Sequence, residues 1–304
     1  MTDNALFDRL SVVRNRGRRA VENFLFDEVA SRLADRLLDI KRAFPRALDF
    51  SGRGGLEKQL ADAGVMTTRG IKSLYTIVAA AESPRPGTTV IGDTEALPVA
   101  PGQFDLAMSV MALHWANDLP GLLIQARRAL KPDGLFLAAF LGGNTLFELR
   151  ECLGAAEIDV AGGISPRVSP FVDLRDAGSL LQRAGFALPV ADQDRIDVTY
   201  ASPLALMHDL RAMGETNALV QRRKHFTART LFDRTSELYV QRYGKGGRIS
   251  ATFDVIYLAG WAPHESQQKP LRPGSATTPL AQALGTEEHS TGDKAGPNPS
   301  KKIS

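Results

Sequence analysis

The chain has 304 residues, of which 43% are hydrophobic and 23% are charged, and its formal net charge is +3 at pH 7. These proportions are typical of a globular protein, and so small a net charge does not indicate a nucleic-acid partner. The single cysteine, Cys152, excludes an intrachain disulfide and a cysteine-rich metal site. No stretch has the roughly 20 apolar residues of a membrane helix, and the N-terminus lacks a signal-peptide core, so we expect a cytoplasmic protein without a transmembrane segment.

Residues 1–45 are expected to form a helical segment. Apolar residues recur there at the spacing of a helix with one buried face; they are Phe26, Val29, Leu33, Leu37 and Ile40. The basic residues between Arg14 and Arg19 indicate a solvated helix face, with a lid or a docking surface for an acidic partner as the alternative. The main domain, residues 46–262, follows Pro45. From residue 263 to residue 304 the composition predicts a disordered tail.

A glycine-rich turn follows the first predicted strand. Residues 47–56 read Ala-Leu-Asp-Phe-Ser-Gly-Arg-Gly-Gly-Leu, which is an apolar run, an acid, a turn and the start of a helix. Gly52 and Gly54 allow the backbone to approach a ligand closely, and the helix N-terminus offers unpaired N–H groups. Asp49 is placed either to reach a cofactor or only to cap the turn, and both roles stay open.

Strands and helices alternate along the rest of the chain. Further strands are predicted at residues 65–68, 88–91, 104–111, 135–140, 195–200 and 251–261, and helices at 73–81, 118–130, 145–158, 173–184, 203–213 and 228–243. This alternation predicts an α/β fold with a doubly wound, Rossmann-like parallel sheet of seven strands and extra helices after residue 141.

Open α/β sheets bind ligands at the carboxyl ends of their strands, and polar residues of this chain follow several of them. A class I methyltransferase-like sheet would hold S-adenosylmethionine there, with Asp93 accepting a hydrogen bond from the adenine amino group. The predicted cofactor residues are Asp49, Ser51, Gly52, Gly54, Asp93 and Thr94. Asp93 as the mere start of a loop is the alternative.

His114 is the candidate catalytic residue. It follows the fourth predicted strand, where this kind of sheet places residues that face the substrate, and histidine exchanges protons near neutral pH. A structural histidine packed against Trp115 is the alternative. The spacing of the histidines does not match a metal site, so we predict no metal.

Several longer motifs resemble one family, the mitochondrial respiratory complex I assembly factor of methyltransferase fold. The motifs are Leu113-His-Trp115, Asn117-Asp-Leu-Pro120, Gly142-Gly143, Met213-Gly-Glu215 and His264-Glu-Ser-Gln267. The resemblance extends over roughly residues 6–276. The malonyl-carrier-protein methyltransferases of biotin synthesis are similar as well.

The resemblance implies a class I S-adenosylmethionine-dependent methyltransferase fold for residues 46–262. It also implies an enzyme that hydroxylates, or alternatively methylates, an arginine of a complex I subunit. The expected partner is therefore a protein substrate, and peripheral membrane association would come through that partner.

The chain departs from the family pattern at two points, and both are expected to weaken S-adenosylmethionine binding. The glycine turn is one residue short, with Ser51 in place of the first glycine. Residues 68–72, at the expected end of the second strand, contain no acid for the ribose hydroxyls and instead carry Arg69 and Lys72, with Asp62 or Glu82 as the alternative acid. Losing those hydrogen bonds would lower affinity roughly a hundredfold or more.

Two alternative functions therefore stay open. One is a non-catalytic assembly factor with a degenerate cofactor site. The other is a methyltransferase that acts on a carrier protein or a small molecule.

Overall fold

The computed structural model describes residues 5–17, 23–52, 55–79 and 88–268, together with the single positions 278, 282, 285 and 286. Residues Met1–His264 form one compact unit and Glu265–Ser304 form a second. Nearly all of the predicted tail lies outside the described residues, so its expected disorder stays a prediction, as does the division of the chain at residues 45 and 262.

Among the described residues, the strands of the first unit form one eight-stranded sheet. The strands are β1 (Arg46–Asp49), β2 (Ser73–Val78), β3 (Thr88–Ile91), β4 (Phe104–Val110), β5 (Leu130–Gly142), β6 (Ala187–Tyr200), β7 (Gly244–Lys245) and β8 (Arg248–Trp261). Their order is β3-β2-β1-β4-β5-β8-β6, and β7 pairs with β8. Strands β1 to β5 pair in parallel, whereas β8 is antiparallel to β5 and β6. The predicted fold class is confirmed, with the two-residue strand β7 added. The expectation of a parallel sheet holds only for β1 to β5, because β8 makes the sheet mixed.

The helices are α1 (Arg9–Gly17), α2 (Phe24–Asp39), α3 (Leu56–Asp62), α4 (Val65–Thr68), α5 (Leu119–Ala129), α6 (Phe147–Ala161), α7 (Leu174–Arg183), α8 (Pro203–Ala212) and α9 (Arg229–Tyr243). Side chains cap the first turns of several of these helices. The Asn23 side chain accepts a hydrogen bond from the Phe26 N–H at 3.0 Å, and the Asp118 side chain accepts one from the Gly121 N–H at 2.8 Å. Such N-caps satisfy backbone N–H groups that a first helical turn leaves without partners.

Helices cover both faces of the sheet because its central strands are apolar on both sides. Along β4, Leu106 and Met108 pack into one apolar cluster with residues of α2 and α6. The alternate residue Ala107 packs into a second cluster with residues of α5 and α7. Side chains on both faces of the strand are thus buried, as expected for a parallel sheet between two helical layers.

The second strand was predicted at the wrong place. Residues 65–68 form α4, and residues 73–78, predicted as the start of a helix, form β2. Gly64 has a φ of 71° and lets the chain enter a new helical turn directly after α3. β2 is rich in β-branched and aromatic residues and hydrogen bonds to β1 and β3 on its two edges, and this pairing overrides the local helical pattern. Residues 80–81 of the predicted helix lie outside the described residues.

Sheet order also locates the site. The chain leaves β3 on one side of β1 and enters β4 on the other side, so the order reverses between β1 and β4. At such a reversal the loops after neighbouring strands diverge and leave a crevice at their carboxyl ends.

Candidate functional site

A buried polar network holds the turn after β1. Asp49 Oδ1 accepts hydrogen bonds from the Ser51 backbone N–H, at 2.8 Å, and from the Ser51 hydroxyl. The Ser51 Oγ also accepts a hydrogen bond from the Val110 N–H, at 2.8 Å. Because one hydroxyl donates and accepts at the same time, Ser51 ties the carboxyl ends of β1 and β4 together. These two predicted cofactor residues lie behind the turn and shape it.

Gly52 is where this turn comes closest to the neighbouring loop. Its φ is 67°, in the left-handed region that favours glycine. A Cβ added at Gly52 would lie 2.9 Å from the Thr94 methyl carbon, so only glycine fits this close approach. Gly52, Asp93 and Thr94 line one cavity, which we call the cradle cavity. Gly54 lies outside the described residues.

Helix α1 covers the cradle cavity. Arg16 donates hydrogen bonds to the backbone carbonyl of Met111, at 2.9 Å, and to that of Ser51, at 3.3 Å. Arg9, at the other end of the helix, forms ion pairs with the carboxylates of Asp93 and Glu95. Arg16 is 6% exposed, so the predicted solvated face is wrong for this residue. Arg18 and Arg19 lie outside the described residues.

The residue types that line the cradle cavity suit the cofactor, but the cavity is small. Gly52 leaves space that a side chain at this position would occupy. Asp93 supplies a hydrogen-bond acceptor after the expected strand. The cavity measures only ≈ 50 Å³, whereas ligand pockets usually enclose about 300–1,000 Å³. Arg9, Val12, Val13 and Arg16 of α1 form part of the cavity wall.

The end of β2 carries no acid among the described residues. β2 ends at Val78, and the next residue, Ala79, lines the cradle cavity. Arg69 and Lys72, which were expected beside the ribose, instead precede β2, at the amino end of that strand. The backbone N–H of Lys72 donates a hydrogen bond there to the Pro45 carbonyl, at 3.0 Å. That placement was wrong because it followed from the misplaced second strand. Residues 80–87 lie outside the described part of the chain.

A strained residue leads from β4 into the next part of the site. Met111 has a φ of 51°, a conformation that costs a non-glycine residue on the order of 1 kcal/mol. Its N–H donates to the Ala139 carbonyl at 2.7 Å, which together with Arg16 fixes the bend. The bend is followed by a single 3-10 turn, Leu113–Trp115, which carries His114.

His114 and Trp115 share one carboxylate. Trp115 Nε1 donates to Glu215 Oε2 at 2.8 Å, and His114 Nε2 lies 3.0 Å from the same oxygen. The side chains of His114 and Glu215 are 2% and 4% exposed. An ionised carboxylate only accepts hydrogen bonds, so His114 carries its proton on Nε2 when Glu215 is charged.

A second cavity, which we call the large cavity, lies beside this pair. It measures ≈ 620 Å³, within the usual range of ligand pockets. His114 and Glu215 line it, and most of its wall is apolar, with Phe171 and Phe232 among the lining residues. Trp115 lines both the large cavity and the cradle cavity. The residue Trp115 therefore forms part of the wall of both cavities.

Sequence reasoning missed Glu215 and Arg16. Glu215 lies 101 residues from His114 in the chain, so no local spacing connects them. Its only signal was its place in the Met213-Gly-Glu215 motif. Arg16 had no distinguishing signal within a run of basic residues.

Comparisons with known proteins agree with this architecture. Residues 48–138 match a family described as a methyltransferase domain. The chain is 40% identical over 265 residues to "Arginine-hydroxylase NDUFAF5, mitochondrial" of Danio rerio, a match that covers 85% of this chain and 81% of the relative. The chain belongs to the NDUFAF5 arginine-hydroxylase family. The family resemblance predicted from the sequence motifs is thereby confirmed.

Two further proteins are similar to this chain. A malonyl-[acyl-carrier protein] O-methyltransferase of Laribacter hongkongensis is 35% identical over 284 residues, covering 89% of this chain and 92% of the relative. That identity is lower than the identity to NDUFAF5. The crystal structure of the YcgJ protein from Bacillus subtilis shares the fold at a TM-score of 0.50 and 15% identity, covering 77% of this chain and 99% of that chain. Within the residues that the structure describes, no helix is long and apolar enough to cross a membrane.

Proposed function

We propose that this protein is an S-adenosylmethionine-dependent arginine hydroxylase that acts on a protein subunit of respiratory complex I during assembly. The observation that carries the proposal is that Trp115 lines both cavities. A cofactor in the cradle cavity and a substrate side chain in the large cavity would meet at this residue. Membership of the NDUFAF5 family supports arginine as the modified residue.

Six residues form the proposed cofactor site. Gly52, Asp93 and Thr94 would contact the cofactor, because they line the cradle cavity. Asp49 and Ser51 would fix the turn from behind, and Gly54 completes the set outside the described residues. S-adenosylmethionine, when bound, would supply an electrophilic methyl group on a positively charged sulfur, which the alternative reaction, methylation of the arginine, would use. Asp93 would accept from the adenine amino group once its ion pair with Arg9 opens.

His114 is the residue proposed to transfer protons, as an acid or as a base. Its Nε2 faces the Glu215 carboxylate, which orients the ring and keeps the proton on that nitrogen. The other ring nitrogen, Nδ1, then has the acceptor lone pair of the neutral ring. His114 lines the large cavity, where the substrate side chain would enter.

Hydroxylation replaces one C–H bond of the arginine side chain with C–OH. With dioxygen as the oxidant, one oxygen atom enters the product and the other leaves as water. An external reductant supplies the two electrons, and two protons complete the water molecule. The proposal therefore requires a reductant in any assay.

Mass spectrometry of a modified subunit tests this function. Purified protein is incubated with recombinant complex I subunits, S-adenosylmethionine, air and a reductant. One added oxygen atom on an arginine supports the proposal. One added methylene group would instead identify a methyltransferase, and unmodified subunits after complete incubation would contradict both activities.

The narrow cradle cavity favours one second candidate, a non-catalytic assembly factor. Calorimetry with millimolar S-adenosylmethionine separates the two functions. Absence of binding, with retained binding to a complex I subunit, would support the assembly factor. The carrier-protein methyltransferase is tested by complementation of a biotin auxotroph, and failure counts against it.

A further inference from the structure

Two neighbouring segments beside the large cavity expose apolar side chains. The first covers the end of α6 and the residues after it, where Ile158, Val160 and Ile164 are 52%, 42% and 71% exposed. The second, residues 220–230, leads into α9, and its Phe226 is fully exposed. Single exposed apolar side chains are common on proteins, but a group of them on adjoining segments is typical of a binding surface.

A buried carboxylate joins the two segments. Glu157 Oε1, near the end of α6, lies 2.8 Å from Arg167 Nη2 and 3.1 Å from Arg223 Nη1. Arg167 Nη1 also donates a hydrogen bond to Thr227 Oγ1, at 3.2 Å. Because Arg223 and Thr227 flank Phe226, these contacts hold the loop of the second segment against the end of α6.

The two segments adjoin the large cavity. Arg167 of this network is one of the residues that line the cavity, and so is Phe232, on the first turn of α9. Asn217, which also lines the cavity, donates a hydrogen bond to the Pro166 carbonyl, at 2.9 Å. A protein that places one side chain in the large cavity would therefore lay its neighbouring residues across the two segments.

The second segment is basic. The basic residues of 220–230 are Arg222, Arg223, Lys224 and Arg229, and this stretch contains no acidic residue. The first two form ion pairs with carboxylates of the fold. Lys224 and Arg229 are exposed, and among the described residues neither forms an ion pair. The exposed acid of the first segment, Asp159, is itself paired with Arg234, at 2.8 Å. The surface therefore attracts carboxylates of a partner.

The position of this surface favours a protein partner over a lipid bilayer. Basic and apolar groups together also occur on proteins that bind anionic membranes, where one face of an amphipathic helix is commonly buried in the lipid interface. Here the apolar side chains come from a helix end and a loop. Both adjoin a cavity of ≈ 620 Å³, which has room for a side chain of the partner.

We propose that these segments form a docking surface for the protein substrate, and that it binds a stretch of the substrate that carries carboxylates beside apolar side chains. This inference rests on the proposed function, since it names the kind of protein segment that the enzyme recognises next to the modified arginine. The residues of the docking surface are Ile158, Val160, Ile164, Lys224, Phe226 and Arg229.

The affinity of the full chain for recombinant complex I subunits tests the docking surface. Each subunit is immobilised in turn, and binding is measured by biolayer interferometry without S-adenosylmethionine or a reductant. Phe226→Ser is expected to weaken binding about tenfold, because the partner loses an apolar contact. The double variant Lys224→Glu with Arg229→Glu is expected to weaken it about tenfold at low ionic strength and much less in about 0.5 M salt, which screens exposed charges.

Two variants serve as matched controls. Val190→Ser removes an apolar side chain that is 57% exposed on β6. Lys245→Glu reverses an exposed charge on β7, which follows the end of α9 opposite to Arg229. Both are expected to bind as the wild type does. All substituted positions are exposed, so the variants are expected to fold, and circular dichroism checks this.

Three results would overturn the inference: no subunit bound by the wild type, undiminished binding in Phe226→Ser and in the double variant, or an equal loss in the two controls. Vesicles made of equal amounts of phosphatidylcholine and phosphatidylglycerol supply a further outcome. If the wild type sediments with these vesicles through Phe226 and binds no subunit, the surface belongs to a membrane contact instead.

The mass-spectrometric result on complex I subunits is independent of these measurements. A hydroxylated arginine, with binding unaltered in the variants, would leave the proposed function standing and reject only the docking surface. Binding that is weakened in the variants, without any modified arginine, would retain the docking surface and reject the hydroxylase.

Discussion

Arg16 Nη2 donates a hydrogen bond to the Met111 backbone carbonyl, at 2.9 Å, at the residue where the chain bends from β4 toward His114. A residue of α1 thereby holds the bend that positions the candidate catalytic turn. The same guanidinium reaches the Ser51 carbonyl in the cradle turn, at 3.3 Å. One buried side chain therefore connects the turn after β1 with the bend that leads to His114.

We predict that Arg16→Gln destabilises the fold by about 1–3 kcal/mol, since it removes donors from two buried carbonyls. Chemical denaturation with urea measures the change in the free energy of unfolding. The control is Arg14→Gln, an exposed position on the same helix, which is expected to change it by less than about 0.5 kcal/mol. Equal effects of the two variants would mean that the carbonyl contacts of Arg16 contribute nothing specific.

Gly52→Ala is predicted to lower both stability and cofactor affinity. The left-handed φ of 67° costs an alanine about 1–2 kcal/mol, and the new Cβ would also crowd the Thr94 methyl. Gly102→Ala separates these two costs, because Gly102 has the same φ of 67° and nothing within 4 Å of an added Cβ. Urea denaturation and calorimetry with S-adenosylmethionine measure the two effects.

The contact cost at Gly52 is checked by a second substitution. Thr94→Ser removes the crowding methyl and keeps the hydroxyl, so it is expected to recover part of the stability lost in Gly52→Ala. The free-energy cost of the left-handed φ at residue 52 should remain in the double variant that combines Gly52→Ala with Thr94→Ser. No recovery in the double variant would show that Thr94 does not define the close approach.

Arg9→Ala is predicted to raise S-adenosylmethionine affinity, because it removes the ion pairs that hold α1 over the cradle cavity. The side chains of Arg9 and Asp93 are 35% and 50% exposed, so the pairs are worth at most about 1 kcal/mol and the gain is a few-fold. Calorimetry at low ionic strength measures it.

Asp93→Ala distinguishes this opening from direct cofactor contact. It removes the same ion pair, yet affinity is expected to fall because the proposed acceptor for adenine is lost. If S-adenosylmethionine affinity rises in this variant as well as in Arg9→Ala, Asp93 does not contact the cofactor. Only the covering role of α1 would then remain.

The sequence predicted the parts of the fold that short-range patterns encode. The apolar runs at β1, β4 and β5 are buried between two helical layers, and such runs are recognisable without knowledge of their neighbours. The strand β2 was missed because its residues also suit a helix, and only pairing with β1 and β3 decides between them.

The candidate site was predictable to a smaller extent. The glycine turn and Asp93 follow strands directly, so strand order brings them together once the fold is known. Glu215 reaches His114 from a distant segment, and Arg16 reaches Met111 from a helix that precedes the sheet. Contacts of this kind depend on tertiary packing, which leaves no periodic trace in the sequence.

The stability of the fold is expected to depend on pH through the buried carboxylate of Glu157. Burial tends to raise the pKa of Glu157, but hydrogen bonds from Arg167 and Ser165 outweigh it and lower the pKa from 4.5 to about 2. A lowered pKa stabilises the fold at pH values above 4.5, and this contribution is lost as the pH falls toward 2. Glu157→Gln is therefore expected to destabilise the protein by about 3 kcal/mol at pH 7.

The destabilisation caused by Glu157→Gln should shrink to about half or less at pH 3, because by then the unfolded wild type has taken up the proton that the folded state still excludes. Urea denaturation of both proteins at pH 7, 5 and 3 measures this difference. Asp8, whose pKa is also lowered to about 2 by hydrogen bonds from Arg222 and Ser11, is present in both proteins and cancels. If the difference in unfolding free energy between the two proteins stays constant down to pH 3, Glu157 stabilises the loops around Arg167 through packing and not through its charge.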